Sequence, residues 1–315
     1  MQEAFGVMFH HFKGGEHPDG QGAMSSDELE QMIQYLGREN ILSPDEWAQR
    51  LQQNTLQPQH RCLTFDDNLK CQYDVAKPVL DKHGLKAFWF IYTSPYENEL
   101  ERLEVFRYFR SVKYETIEEF YAEFFEQTEK SLPEIQMREK LENFNPESFY
   151  SYYSECPFYS LEDWQYRYLR DHVLKSDQYL KIMEGLMDKK GLDPSTLKDK
   201  LWMSQEDVSS LANQGHWVGM HSHKHPTLLT SLDYADQVNE YKKNAEWVEK
   251  ITGKKPKAVS HPCNSYDQGV LSLMEEMGIQ IGFRAHLKED ETKHDRLALP
   301  REDHANLLRE MRESM

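Results

Sequence analysis

Short apolar runs alternate with amphipathic stretches over most of the chain. Runs at 5–12, 61–65, 85–92, 216–221, 257–261, 279–284 and 297–301 predict at least seven strands. The intervening stretches predict helices that start at 25–28 and 43–46 and helices that cover 75–83, 205–214, 232–252 and 267–277. This alternation favours a parallel α/β architecture. Seven strands are enough to close a barrel that carries its functional residues at the C-terminal ends of the strands.

The segment 97–200 breaks the alternation. It shows no convincing strand pattern, and aromatic residues recur in it at helical spacing, as Phe120 and Phe124 do. Half of the aromatic residues of the chain, 19 of 38, lie in this segment. We therefore expect 97–200 to be an aromatic-rich helical insertion that divides the barrel-forming chain into 1–96 and 201–315.

Composition narrows the range of partners and compartments. The formal charge of −17 argues against nucleic acid or an anionic membrane as the main partner, because both bind basic surfaces. No apolar run approaches the roughly 20 residues of a membrane span, and the first five residues lack a signal-peptide pattern. The cysteines at 62, 71, 156 and 263 have no CxxC spacing, which predicts thiols rather than a disulfide framework. We expect a cytoplasmic protein of undetermined oligomeric state.

Two short motifs carry the candidate chemistry. Residues 63–67, Leu-Thr-Phe-Asp-Asp, are an apolar run that ends in adjacent carboxylates, typical of a strand that delivers acids to a site. Residues 221–226, His-Ser-His-Lys-His-Pro, place imidazoles at positions i and i+4 with a third between them. One carboxylate and two histidines form a three-ligand set for a catalytic divalent metal, with open positions for water and substrate. The second carboxylate can act as a base on that water, so the pattern indicates metal-assisted hydrolysis.

These motifs resemble those of the polysaccharide deacetylase family, the NodB-homology or carbohydrate esterase family 4 enzymes. That family carries a TFDD-type motif and an HSxxH-type motif in this order, and here they read Thr-Phe-Asp-Asp at 64–67 and His-Ser-His-Lys-His at 221–225. Their flanking residues are also similar to the family pattern. The resemblance covers roughly 1–96 and 201–304. It implies an α/β fold, a distorted (β/α)7-type barrel, with 97–200 as a helical insertion in it.

The resemblance also implies a role for each motif residue. Asp67, His221 and His225 are expected to bind one divalent metal ion, most commonly zinc, with cobalt, nickel or iron as alternatives. Asp66 is expected to accept the proton of the metal-bound water as that water attacks an amide or ester carbonyl. His223 is expected to point away, because a ligand pair at i and i+4 leaves the intervening residue on another side.

The leaving amine needs a proton, and many family members take it from a histidine in a late motif. No clear LxLxH-type element is found here, although His304 follows at a loose distance in polar surroundings that predict exposure to solvent. Residues 7–10, Val-Met-Phe-His, resemble the LMYH-like strand end of another branch of the family. The resemblance therefore favours His10 as the general acid, with His11 and His304 as alternatives.

The third family motif is where this chain departs from the pattern. Ser260 stands at the position of the usual arginine of an RxPxG-type element. Residues 260–266 resemble a YPxGxY-like variant, which implies a substrate-binding role for His261, Pro262 and Tyr266. Asn264 replaces the glycine of that variant and keeps tolerance for a positive φ.

Variants that lack this arginine often carry a Pro-Arg pair on the final strand. Pro300 and Arg301 are similar to that pair. Arg301 is therefore expected to pair with Asp66 and to hold it ionised and oriented.

The implied activity is removal of an N-acetyl or N-formyl group from an amino sugar. We expect a soluble precursor as substrate, either a sugar, a sugar nucleotide or a lipid-linked glycan intermediate. The insertion is expected to form its own aromatic core, to offer tyrosines around 149–153 to sugar rings, or both, and a lid is one role for it. The alternatives are an amidohydrolase that acts on a non-sugar amide or cyclic imide, and an inactive carbohydrate-binding or interaction protein.

Overall fold

The computed structural model describes residues 3–149, 159–287 and 295–314. The chain forms two compact units. The barrel unit contains Met1–His17, Ala23–Glu101 and Lys198–Met315, and the helical unit contains Pro18–Gly22 and Arg102–Leu197. Residues Pro18–Gly22, which lie in the loop after the first strand, therefore belong to the helical unit.

Seven short parallel strands form the barrel unit. They lie in the order β6-β5-β4-β3-β2-β1-β7, and β1 pairs with β2 in a register that sets Phe5 opposite Arg61 and Phe9 opposite Phe65. Nearly all strand residues are buried, as expected for strands that are covered on both faces. Their bounds are β1 Phe5–Phe9, β2 Arg61–Phe65, β3 Phe88–Ile91, β4 Trp217–Met220, β5 Ala258–Ser260, β6 Ile281–Phe283 and β7 Arg301–Asp303.

The barrel closes at the segment before β7. The Leu299 amide donates to the Gly282 carbonyl at 2.8 Å, and the Arg284 amide donates to the Leu299 carbonyl at 3.0 Å. The Pro300 carbonyl then accepts a hydrogen bond from the Gly6 amide on β1 at 3.0 Å. These contacts join β6 to β1 and β7, and the nearly closed seven-stranded barrel confirms the predicted fold class.

Gly282 is needed at this joint because two backbones approach closely there. A Cβ atom at position 282 would lie 2.0 Å from the Leu297 carbonyl oxygen. The Gly282 amide donates to the Arg296 carbonyl at 2.9 Å. Any side chain at 282 would force the two segments apart.

The predicted last strand, 297–301, is wrong in its position. The structure places the strand at Arg301–Asp303, where it pairs with β1. Leu299 instead bridges Phe283 on β6, and Pro300 cannot donate a ladder hydrogen bond because it has no amide proton. The predicted run therefore marks the closing joint, and the strand follows it.

The first strand is also shorter than the predicted 5–12. It ends at Phe9, and the chain beyond it pairs with itself. Phe12 bridges Met24, and the Lys13 amide donates to the Met24 carbonyl at 2.9 Å. His10 and His11 therefore lie in the loop after the strand.

Helices alternate with the strands of the barrel unit. The predicted starts at 25–28 and 43–46 are confirmed as capping boxes, in which Ser25 and Ser43 each bond reciprocally with a glutamate three residues later. The barrel-unit helices are α1 Ser26–Leu36, α2 Pro44–Gln52 and α3 Lys77–His83 before the insertion. After it come α10 Lys198–Leu201, α11 Gln205–Asn213, α12 Tyr234–Thr252, α13 Gln268–Glu276 and α14 His304–Ser314.

The helical unit contains helices and no strand among its described residues. Its aromatic side chains pack on one another: the Tyr166 ring lies 4.9 Å from the Phe124 ring and 5.4 Å from the Phe120 ring. These aromatics form a core of their own. The tyrosines at 150, 152 and 153 lie outside the described residues, and the role of a lid stays a prediction. The helices are α4 Arg102–Lys113, α5 Ile117–Ser131, α6 Met137–Glu142, α7 Pro146–Phe149, α8 Leu161–Tyr168 and α9 Ser176–Lys189.

None of the helices in the described ranges combines the length and apolar character needed to cross a membrane. Two of the four cysteines, Cys62 and Cys71, are buried. The Cys71 sulfur accepts a hydrogen bond from the Phe12 amide at 3.3 Å. Cys156 lies outside the described residues.

Candidate metal centre

Tight turns after β2 and β4 bring the two motifs to the same end of the barrel. β2 ends at Phe65, and Asp67 then adopts a left-handed conformation with φ 78°. After β4, Ser222 and His225 are left-handed as well, with φ 61° and 57°. Residues other than glycine rarely adopt this conformation, and proteins retain it mainly where the surrounding structure enforces it. Because the strands are parallel, the residues after β2 and β4 meet at one rim.

Asp67, His221 and His225 form a compact cluster at this rim. The Asp67 Oδ1 atom lies 3.3 Å from His221 Nε2 and 3.4 Å from His225 Nε2. The three ligand atoms all lie within 4.8 Å of one another. The His221 side chain is 2% exposed, whereas those of Asp67 and His225 are 17% and 13% exposed. The cluster is therefore held from the barrel interior and reached from solvent on one side.

The hydrogen-bonding state of these atoms fits a metal ion. Asp67 Oδ1 is buried and has no hydrogen-bond donor among the described residues. His221 Nδ1 donates to the Ser260 carbonyl oxygen at 2.8 Å, so Nε2 faces Asp67. Burial works to lower the pKa of His221, but the Asp66 and Asp67 carboxylates outweigh it and raise the pKa. Burial lowers the pKa of His225 to about 4, although the Asp67 carboxylate opposes this shift. One carboxylate oxygen and two imidazole nitrogens thus converge, and this donor set suits zinc and similar divalent ions, whose charge would take the place of the His221 proton.

Asp66 lies beside this cluster and is held by Arg301 and Ser260. The Arg301 guanidinium donates from Nη1 to Asp66 Oδ1 at 2.8 Å and contacts Asp66 Oδ2 through Nη2 at 2.8 Å. The Ser260 hydroxyl donates to Asp66 Oδ2 at 2.9 Å and accepts from Arg301 Nη2 at 2.8 Å. Burial works to raise the pKa of Asp66, but the Arg301 guanidinium and the imidazoles of His221 and His10 together outweigh it, and the pKa lies below its usual value. Asp66 is therefore ionised and fixed in orientation.

The three candidate general acids occupy different environments. His10 Nε2 lies 3.9 Å from Asp67 Oδ2, and the His10 side chain is 29% exposed. The ring of His11 faces that of His10 at 6.3 Å between centroids. His304 is buried, and its ring stacks on Phe9 at 5.8 Å. The expected solvent exposure of His304 is therefore wrong, because its ring packs against the Phe9 side chain at the end of β1.

The predicted substrate-binding residues differ in their access to solvent. His261 is 1% exposed, and its Nε2 bonds to the Leu297 carbonyl at 2.8 Å. Its ring stacks on Tyr266, which is partly exposed, with 4.5 Å between centroids. Pro262 is buried at the start of a short 3₁₀ helix. Asn264 has φ 58°, so the turn keeps the positive φ expected of this position.

His223, between the two metal-ligand candidates, points away from them. Its Nδ1 bonds to the Thr93 hydroxyl at 2.9 Å, and its Nε2 lies 3.6 Å from Glu97 Oε2. The side chain is 1% exposed. His223 therefore fastens the loop after β4 to the loop after β3 and lies outside the ligand cluster.

Sequence reasoning did not identify two polar residues that support the site. Ser260 stands where the family pattern has an arginine, yet its hydroxyl bridges Asp66 and Arg301. Gln72 is fully buried and donates from Nε2 to the carbonyls of Asp66 and His10 at 2.6 and 2.8 Å. The sequence could have indicated Gln72 only as a polar residue in the short stretch between the Asp66–Asp67 motif and α3.

Comparison with known proteins agrees with the resemblance found in the sequence. The family model "Polysaccharide deacetylase" matches residues 161–282. This segment includes the His221–His225 motif and residues 260–266, but not the Asp66–Asp67 motif. No curated protein matches the chain.

Solved structures with a similar fold cover nearly the whole chain. A Streptococcus pyogenes deacetylase in complex with acetate is 16% identical with a TM-score of 0.56, covering 98% of each chain. A de-N-acetylase from Aggregatibacter actinomycetemcomitans is 10% identical with a TM-score of 0.54, covering 95% of this chain and 94% of the other. A deacetylase domain from Bordetella bronchiseptica is 13% identical with a TM-score of 0.52, covering 95% of each. At these identities the likeness concerns the fold.

Proposed function

We propose that this chain is a metal-dependent hydrolase that removes an N-acetyl or N-formyl group from an amino sugar. The match of residues 161–282 to the polysaccharide deacetylase family model and the barrel fold support this proposal. The main support is the arrangement of the two adjacent carboxylates. Asp67 Oδ1 is buried between two imidazole nitrogens and accepts no hydrogen bond from the described residues, whereas the ionised Asp66 is paired with Arg301. Two neighbouring acids in such different environments are suited to different tasks.

Asp67, His221 and His225 are the residues that would hold the ion. A divalent metal bound there polarises a carbonyl oxygen and lowers the pKa of water towards about 7. His221 is oriented for this task by the Ser260 carbonyl, which fixes the proton on Nδ1. The partly exposed faces of Asp67 and His225 leave room for water and substrate.

Asp66 and His10 are proposed to move the two protons of the reaction. Asp66 takes a proton from the attacking water as the new carbon–oxygen bond forms. His10 gives a proton to the amine nitrogen as the carbon–nitrogen bond breaks, so the products are a carboxylic acid and a free amine. His10 Nε2 lies 3.9 Å from the far oxygen of Asp67 and is partly exposed, so a substrate amide bound at this rim comes within its reach.

The proposed substrate class is an acylated amino sugar or a glycan precursor. The Streptococcus pyogenes deacetylase, which has a similar fold, is in complex with acetate. This supports acetyl as the group that is removed. Tyr266, partly exposed beside the rim turn, is the proposed residue for packing against a sugar ring.

Metal content and acetate release, measured on the same preparations, test this function. Wild type is expected to bind about one zinc per chain and to release acetate from N-acetylglucosamine, its nucleotide-linked form or its short oligomers. Asp67→Asn should lose the metal and the activity, because the amide cannot replace the carboxylate ligand. Asp66→Asn should keep the metal and lose about 10²–10⁴-fold in kcat, the usual contribution of a general base.

Asp236→Asn, at an exposed position on α12, is the matched control and should behave as wild type. Unchanged metal content and turnover in Asp67→Asn would overturn the site. Turnover of non-sugar amides in the absence of any acetylated sugar activity would point to the amidohydrolase alternative.

A further inference from the structure

The buried face of α12 carries three polar side chains, two of which contact the metal-ligand loop. Gln237, Glu240 and Asn244 follow one another at helical spacing and are 6%, 7% and 0% exposed. A helix that packs on a barrel normally presents an apolar stripe, because a buried polar group is costly unless it is hydrogen-bonded. Further along the same face, the buried residues become apolar at Val248 and Ile251. The polar part of the stripe therefore has specific partners to satisfy.

Glu240 binds the backbone between the two histidine ligands. Its Oε2 accepts hydrogen bonds from the amides of His223 and Lys224, at 2.9 and 2.7 Å. Both residues lie between His221 and His225 along the chain. A carboxylate that accepts two consecutive amides makes strong, charge-assisted bonds and fixes the direction of that peptide segment.

Asn244, one helical turn later, binds the start of the same loop. Its Oδ1 accepts from the His221 amide at 3.0 Å, a donor shared with the Ile91 carbonyl at 3.2 Å. Its Nδ2 donates to the Ile91 carbonyl at 2.9 Å and to the Thr93 hydroxyl at 3.1 Å. Asn244 therefore ties the ends of β3 and β4 to α12.

The loop needs this support because its own conformation is unfavourable. Ser222 and His225 both have positive φ angles, which residues other than glycine adopt only when neighbouring contacts enforce them. Within the loop, the Ser222 hydroxyl accepts from the His225 amide at 3.0 Å. The amides of residues 221, 223 and 224 are bound by side chains of α12.

We propose that Glu240 and Asn244 are positioning residues that hold His221 and His225 in the spacing required by a divalent metal. This inference rests on the proposed metal site and deepens it. The two side chains act through the loop backbone and lie outside the group of candidate ligands. Loss of supporting hydrogen bonds around metal ligands typically weakens metal affinity about 10–100-fold, and the same range is expected here.

Zinc and cobalt titrations of variants test the role. Glu240→Met keeps the length and helix propensity of the side chain but removes the acceptor. Glu240→Gln keeps one amide oxygen that can accept both loop amides, so it should rescue the site. We expect zinc affinity to fall about 10–100-fold in Glu240→Met and to stay within about threefold of wild type in Glu240→Gln. The visible spectrum of the cobalt form should change in Glu240→Met, because the histidines no longer hold one geometry.

Glu246→Met, at an exposed position on the same helix, should match wild type in both measurements. Wild-type zinc affinity and an unchanged cobalt spectrum in a folded Glu240→Met protein would overturn the inference and leave the metal site standing. Absence of metal binding in wild type would instead overturn the proposed function. If Glu240→Met does not fold, the same measurements are made on Asn244→Ser. Wild-type zinc affinity in Asn244→Ser overturns the positioning role, and a loss of zinc affinity of about tenfold or more supports that role.

Discussion

Arg301 on β7 and Asp66 after β2 form a two-point ion pair, although they lie 235 residues apart in the sequence. Both nitrogens at the end of the guanidinium contact the carboxylate at 2.8 Å, and the two side chains are 1% and 2% exposed. A planar guanidinium matches a carboxylate in this way, and an ammonium does not. Arg301 therefore sets both the charge of Asp66 and the direction of its oxygens.

Arg301→Lys is expected to lower kcat/KM at neutral pH by about tenfold or more, because one ammonium cannot replace the bidentate contact. The Arg301 guanidinium lowers the pKa of Asp66 against the opposing effect of burial. A weaker partner should raise that pKa and move the acidic limb of the kcat/KM profile to higher pH. The pH profile of acetate release measures this shift.

Arg296→Lys is the matched control for this change, because Arg296 pairs with Glu275 on the surface. Exposed ion pairs contribute little to stability, and this variant should keep the wild-type profile. An unshifted acidic limb in Arg301→Lys, together with normal turnover, would contradict the role given to Arg301.

Ser260→Ala separates the two contacts that this residue makes. The variant loses the hydroxyl that donates to Asp66 but keeps the carbonyl that orients His221. A hydrogen bond to a charged group contributes about 1.5–3 kcal/mol, so kcat should fall by about 10–100-fold. Metal content should not change.

Elemental analysis and steady-state kinetics on one preparation check both parts of this prediction. Ser272→Ala, at an exposed position on α13, serves as the control. Loss of metal from Ser260→Ala would show that the hydroxyl supports the ligands as well as the base.

Gly282→Ala is expected to be strongly destabilising. A Cβ atom at this position would lie 2.0 Å from the Leu297 carbonyl oxygen. The nearest atoms all belong to the Leu297 backbone, so no flexible side chain can move aside. The expected loss is about 3 kcal/mol or more, at the upper end of overpacking effects. Urea denaturation of the barrel unit within the full chain measures it.

The matched change is Gly185→Ala in α9, where an added Cβ meets nothing within 4 Å. Alanine is the better helix former by about 1 kcal/mol, so this variant should be slightly more stable than wild type. Equal stability of the two variants would mean that the closing joint tolerates a side chain.

His216 is expected to make the stability of the protein depend on pH below about 6.5. Its Nδ1 accepts from the Ala87 amide and from the Trp89 indole at 3.1 and 3.2 Å, which requires a neutral ring. Burial lowers the pKa of His216 to about 4. The unfolded chain therefore binds a proton before the folded chain does, and stability should fall as the pH drops from about 6.5 to 4, by up to about 1.4 kcal/mol per pH unit.

His216→Asn tests this dependence, because its amide oxygen can accept in place of Nδ1 without titrating. The difference in unfolding free energy between wild type and this variant should shrink as the pH falls through that window. His172→Asn, at an exposed position in the helical unit, should leave the pH dependence unchanged. Parallel pH curves for wild type and His216→Asn would show that His216 does not titrate as stated.

Local patterns were enough to predict most of the barrel. The predicted strand at 61–65 is found with the same bounds, because a short apolar run is buried in the core regardless of which strands pair with it. The helix starts at Ser25 and Ser43 were equally local, since a capping box is closed by residues three apart. The alternation of strands and helices predicted at least seven strands and their parallel direction.

Long-range contacts were the part that single-sequence patterns could not supply. The strand at 301–303 was misplaced because Leu299 is held by β6, a partner that the pattern of residues 297–301 does not reveal. His304 looked solvated from its polar neighbours in the sequence, yet it stacks on Phe9, which is distant in the chain. The helical pattern of 232–252 does not distinguish Glu240 and Asn244 from other polar residues, because their partners are backbone groups outside the helix.

The closing joint also sets when the site can be assembled. Residues 299–303 bind β6 on one side and β1 on the other, so a nascent chain cannot complete its barrel before this segment has been synthesised. Until then Asp66 has no guanidinium beside it, and the edge of β1 remains unpaired. Contacts between such distant parts of a sequence form slowly, so until this segment is in place the site is not assembled and the open edge of β1 is prone to aggregation.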